Sequence, residues 1–126
     1  MSDLRTLDAR RADAVAKLCE LIVPGSSSVG PVVYVDALIA QMPPPVRDAA
    51  LAAIDTLAPA ADQGAEALGD HVFTAEFGMM RALAIEAYYS DFVAPGMEGP
   101  GAWTEIDFNS PLATRLAKDW SYLGIA

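Results

Sequence analysis

The chain has 126 residues, 53% of them hydrophobic and only 20% charged, which suits one folded domain and excludes a disordered polyelectrolyte. Its net charge of −9 is concentrated between residues 19 and 109, where Arg47 and Arg81 face thirteen acids; each end of the sequence is slightly positive. No basic patch exists to neutralise several phosphates, so neither nucleic acid nor an anionic membrane surface is expected as a partner.

The first helix is expected over 6–23, with Thr6 as N-cap and Leu7, Arg11, Val15, Leu18 and Ile22 at helical spacing. Pro24-Gly25 ends it, and Ser26 to Pro31 reads as a loop. Pro31-Val32-Val33-Tyr34-Val35 has strand composition, yet Val35, Leu38, Ile39 and Met42 fall at i, i+3, i+4, i+7. Pro31 also suits a first helical position, so a helix over 32–42 is expected. Pro43-Pro44-Pro45 interrupts the helical pattern and primes a helix from about 45 to 60, with Pro59 fraying its end. A short helical turn is expected around 64–70. The longest helix is expected over 74–92, capped by Thr74 and apolar on a broad face, hence central. A Gly/Pro-rich stretch follows over 94–102, and Ser110-Pro111 opens a last helix to about 119. The expected fold is all-α: one bundle-like domain over 1–126, of about five helices, with an irregular aromatic C-terminal segment.

Little in the sequence carries chemistry. The single Cys19 excludes an internal disulfide and an iron–sulfur cluster, and its place on an amphipathic helix suits a core thiol. Asp62, Glu66 and Asp70 at i, i+4, i+8 beside His71, the one histidine, would suit a hard cation or acid/base work if one helix aligned them. Gly64 and Gly69 weaken that helix, and a solvated acidic face is the stronger reading. No phosphate-cradling glycine loop, haem attachment run or G-x-S-x-G elbow occurs. Catalytic, cofactor-binding and metal-binding residues are therefore not expected in this protein. Arg10-Arg11 is followed by a segment broken by Asp13, Lys17 and Glu20, which cannot form an apolar signal core. No run approaches the ~18 apolar residues of a membrane span, so a cytoplasmic protein is expected.

Aromatic residues crowd the C-terminal third: Tyr88, Tyr89, Phe92, Trp103, Phe108, Trp120 and Tyr122. Tyr88, Phe92 and Trp103 also suit completion of the core, so a mixture of core and contact residues is expected. Tyr89, Trp103, Phe108, Trp120 and Tyr122 are the candidate contacts for a protein partner, because rigid amphipathic rings make interface hot spots.

Several of these features together resemble the gluconate 2-dehydrogenase subunit 3 family. They are Leu18-Cys19-Glu20-Leu21-Ile22-Val23-Pro24-Gly25, the Val35-Asp36-Ala37-Leu38-Ile39 helix behind it, Glu86-Ala87-Tyr88-Tyr89-Ser90, and the Gly/Pro loop leading to Trp103. The resemblance runs from about residue 10 to 108. It implies a non-catalytic small subunit that stabilises a large FAD-dependent oxidoreductase of the glucose–methanol–choline type. That partner would hold the FAD and oxidise an alcohol, sugar or glycoside hydroxyl. Family members usually begin with a twin-arginine signal, from which this protein departs. Two other expectations stand beside it: a self-contained helical interaction or regulatory module, and a small enzyme built on Asp62, Glu66, Asp70 and His71.

Overall fold

A computed structural model describes residues 4–105 and 121–124, and among these there is no strand. The helices are α1 (Ala9–Ile22), α2 (Pro31–Ala40), α3 (Pro44–Gln63), α4 (Ala65–Gly69), α5 (Ala75–Tyr89) and α6 (Ala102–Glu105), with 3-10 turns at Ser26–Val29 and Ser121–Leu123. The expected helix at 110–119 lies outside the described residues.

Helix α1 begins later than the sequence suggests. Asp8, not Thr6, is the N-cap: its carboxylate accepts the Arg11 N–H at 2.8 Å. Residues 5–7 instead form a strap across α2. Asp36, 3% exposed, accepts the main-chain N–H groups of Arg5, Thr6 and Leu7 at 2.8, 2.8 and 2.9 Å. A buried carboxylate needs such partners. Three donors that would otherwise be orphaned ahead of α1 are satisfied by one residue.

Helix α5 meets α1, α2, α3 and α6, as expected of a central helix, and helix α2 is the most completely buried. Val32, Tyr34, Val35, Asp36, Ala37 and Ile39 are all buried, and α1, α3 and α5 surround it. This suits its strand-like composition: most of the helix is buried, so its residues are largely apolar, and only the Val35, Leu38, Ile39 and Met42 spacing marks it as a helix. Gly30 admits it to the core. Its φ is +65°, and a Cβ there would lie 2.7 Å from the Ala94 Cβ.

Helix α3, at 20 residues, is the longest described helix, displacing α5 at 15. Pro59 does not end it. The proline ring forfeits the N–H bond back to residue 55 and crowds that carbonyl, but buried Ala60 and Ala61 hold the next turn against the core. Gly64 ends it instead, at φ +107°. Helix α5 stops at Tyr89, where Ser90 caps it and Asp91 turns left-handed at φ 65°.

Arg11 meets Asp55 through two bonds of 3.0 and 2.8 Å, and Lys17 meets Asp62 at 2.7 Å. Partner numbers rise together along both helices, so α1 and α3 run parallel. These pairs fix register more than they stabilise, since all lie toward solvent. Stability comes from the cluster beneath, which joins Val15, Leu18, Val35, Ile54, Leu57 and Met80.

Candidate partner-binding face

The aromatic residues come together at one end of α5. Ser90 and Asp91 turn the backbone out of the helix, and Phe92 drops back into the core with its ring edge-on to Tyr34, centroids 5.3 Å apart. Asp91 is buried and accepts the Trp103 N–H at 3.2 Å, which folds the Gly/Pro loop back onto α5. The Trp103 indole N–H then donates to the Tyr89 carbonyl at 2.9 Å. That carbonyl belongs to the last turn of α5, where no further helical N–H reaches it. The indole thus takes the place of the missing donor at the end of the helix.

Next to this lies a second cluster. The Tyr34 hydroxyl, at the tip of a ring 1% exposed, donates to the Glu86 carboxylate at 2.8 Å and lies 3.2 Å from the Tyr122 hydroxyl. Burial, and then the bonds to Tyr122 and Glu86, raise the Tyr34 phenol above its ordinary pKa. Glu86 and Tyr89 are three apart on α5 and share its outer face. Trp103, Tyr89, Glu86 and Tyr122 therefore form a continuous polar–aromatic strip. Arg5 extends it, donating to the carbonyls of Leu123 (2.9 Å) and Gly124.

Of the five candidate contacts, Tyr89 is 44% exposed, Tyr122 is 54% exposed, and Trp103 is half-buried. Phe108 and Trp120 lie outside the described residues. Tyr88 and Phe92 are in the core, and Tyr88 lies on the apolar spacing of its helix. The hydroxyl link from Tyr34 to Tyr122 had no sequence signal, because 88 residues separate the partners. Nor did the full exposure of Phe73, which lies in the turn between α4 and α5, outside every helical stripe.

The other candidate constellation is dispersed. Gly64 separates Asp62, on α3 and paired with Lys17, from Glu66 on α4 and from Asp70 beyond it. The single helix that would align the three does not form. Among the described residues no three His, Cys, Asp or Glu side chains are grouped closely enough to hold a metal ion. Cys19 is buried between α1 and its neighbours, and burial pushes its thiol up to about 12. An open cleft of about 760 Å³ lies between the N-terminal strap, the start of α2 and the Ala94–Met97 turn. Its two charged groups are already engaged: Asp36 by the strap and Arg5 by the Leu123 and Gly124 carbonyls. No helix among the described residues is long and apolar enough to cross a membrane.

No protein-family model, no characterised protein and no solved structure matches this protein significantly.

Proposed function

We propose that this protein is a non-catalytic small subunit that assembles with and stabilises a large FAD-dependent oxidoreductase, in keeping with its resemblance to the gluconate 2-dehydrogenase subunit 3 family. In this reading the partner holds the FAD and acts on an alcohol, sugar or glycoside hydroxyl, and the complex is cytoplasmic. The observation that carries the reading furthest is the strip of Trp103, Tyr89, Glu86 and Tyr122. Its Trp103 and Tyr122 rings are held by hydrogen bonds to fixed partners, and Tyr89 and Tyr122 keep much of their area in solvent. Amphipathic rings held in place before contact lose little freedom on binding, which favours tight association.

Co-expression with the large flavoprotein should yield a yellow complex of fixed stoichiometry, read by mass and flavin absorbance. Tyr89→Ala with Tyr122→Ala should weaken it by tenfold or more while the free subunit stays folded. A large subunit that folds, holds FAD and remains soluble without this protein would count decisively against the reading.

One observation favours a second reading, a stand-alone helical interaction module. The core is closed by the protein's own residues, with Val15, Leu18, Ile54, Leu57 and Met80 fully buried. That reading predicts a monodisperse, stable protein with no flavoprotein bound.

A further inference from the structure

Residues 5–7 and 121–124 are fastened to each other and to α2. On one side, Asp36 holds the strap through the Arg5, Thr6 and Leu7 N–H groups. On the other, the turn at Ser121–Leu123 is seated by three contacts of different kinds. Leu123 is fully buried in the core cluster, the Tyr122 hydroxyl lies 3.2 Å from that of Tyr34, and the Leu123 and Gly124 carbonyls accept from the Arg5 guanidinium. Arg5 belongs to both sides: Asp36 holds its main-chain N–H, and its side chain holds the turn. Gly124 is fitted to this arrangement. Its φ is +72°, and a Cβ there would lie 2.5 Å from Arg5 Nη1, so a side chain would push the guanidinium off its two carbonyls.

These fastenings are unlike the core beneath them. Arg5 is exposed, Thr6 is half-buried and Tyr122 is 54% exposed; among the described residues of the strap and turn, only Leu7 and Leu123 are buried. Segments held by few apolar contacts and by accessible hydrogen bonds open well below the free energy of global unfolding. Because Arg5 is shared, release of the strap carries the guanidinium away from the turn, and release of the turn leaves the guanidinium without its acceptors. Leu4, Arg5 and Gly124 also line the cleft of about 760 Å³ described above.

We infer that the strap and the C-terminal turn form one clasp, pinned by Arg5, which opens as a unit while helices α1 to α5 stay folded. Opening empties the slot of Leu123 and takes away the wall that Leu4, Arg5 and Gly124 give the cleft. It also withdraws Tyr122 from the strip it forms with Glu86, Tyr89 and Trp103, so the strap decides whether that face is complete. The inference does not depend on the small-subunit reading.

The test uses the full-length protein carrying Leu123→Cys and an alkylating reagent under native conditions, with the buried Cys19 reporting global unfolding. Residue 123 should be alkylated while Cys19 stays protected. Asp36→Asn, which weakens the hold on the strap, should speed that reaction, and Arg5→Ala should speed it about tenfold, as the loss of two hydrogen bonds implies. Combining the two should add little to the faster one, since both open the same unit. In the opposite direction, Gly124→Ala in the otherwise unchanged protein should quicken amide exchange at residues 5–7. If residue 123 reacts only as fast as Cys19, nothing short of global unfolding opens the clasp and the inference falls. If Asp36→Asn leaves alkylation at residue 123 within twofold of the parent, or Gly124→Ala leaves exchange at residues 5–7 unchanged, strap and turn open separately and the inference is overturned.

Discussion

Asp36 shows how much a single residue organises. Its two oxygens hold three consecutive main-chain N–H groups, so Asp36→Ala would strand all three in a buried setting. Unmade bonds of this kind cost about 1–3 kcal/mol each, partly recovered by water, so a loss of about 3 kcal/mol is expected in urea unfolding. Asp36→Asn should lose less, because its carbonyl can still accept from Thr6 and Leu7 while its amide faces the Arg5 N–H as a second donor. Amide exchange at residues 5–7 should quicken in both variants.

Cys19 is inert for a different reason. Burial disfavours its thiolate, so an alkylating reagent at pH 8 should leave the native protein untouched and modify it only after unfolding. Tyr34 carries an alkaline signature. Its phenol titrates above the ordinary value of 10 in the folded state, so above pH 10 the folded protein retains a proton that the unfolded one has lost. Stability is then full below pH 10 and falls as pH rises beyond it. Tyr34→Phe should flatten that decline in melts taken between pH 9 and 11.

At the level of elements, the sequence placed helices well where one face alone is buried, and less well where burial is complete or a breaker residue is tolerated. Helix α1 has an apolar stripe from Val15 through Leu18 to Ile22, and its C-terminal limit was readable from Pro24. Its start was not, because Thr6 and Asp8 are both good caps and only the bond from Thr6 to Asp36 removes the first. Helix α2 was ambiguous between strand and helix for the composition that its burial requires. Helix α3 outran its expected end because Pro59 lies on the exposed side, where a missing bond costs least. Restoring it is testable: Pro59→Ala should stabilise the protein by about 1 kcal/mol, well under the ~3 kcal/mol penalty of an unrelieved interior proline, as a rise in melting temperature.

At the level of the whole molecule, charge is arranged so that acids pair across helices where bases are available and face solvent elsewhere. Hydrogen bonds from Arg11 hold Asp55 below the ordinary carboxylate range, and the Gly25 and Ser27 N–H groups do the same for Glu20. A depressed folded-state value contributes stability above the unfolded value of about 4 and loses it as pH falls. Because both groups face solvent, the effect should be small, below about 1 kcal/mol, and Asp55→Asn should remove part of the loss between pH 5 and 3. The acids on α4 and at the start of α5 lie in a stretch with no Lys or Arg between Arg47 and Arg81.

Composition and periodicity were enough to determine an all-α protein, the position of each long helix to within a few residues, and a core that takes in Cys19 and Tyr88. Those properties follow from local spacing, which any helix must obey. Which helix is most completely buried, which carboxylate clasps the N-terminal strap, and which aromatic rings keep a solvent-facing side depend on partners roughly 30 to 120 residues away. Tyr34 and Tyr122, Asp36 and Thr6, and Arg5 and Leu123 meet only in the assembled fold. Burial is a property of the assembled bundle, and so is the face it leaves for a partner.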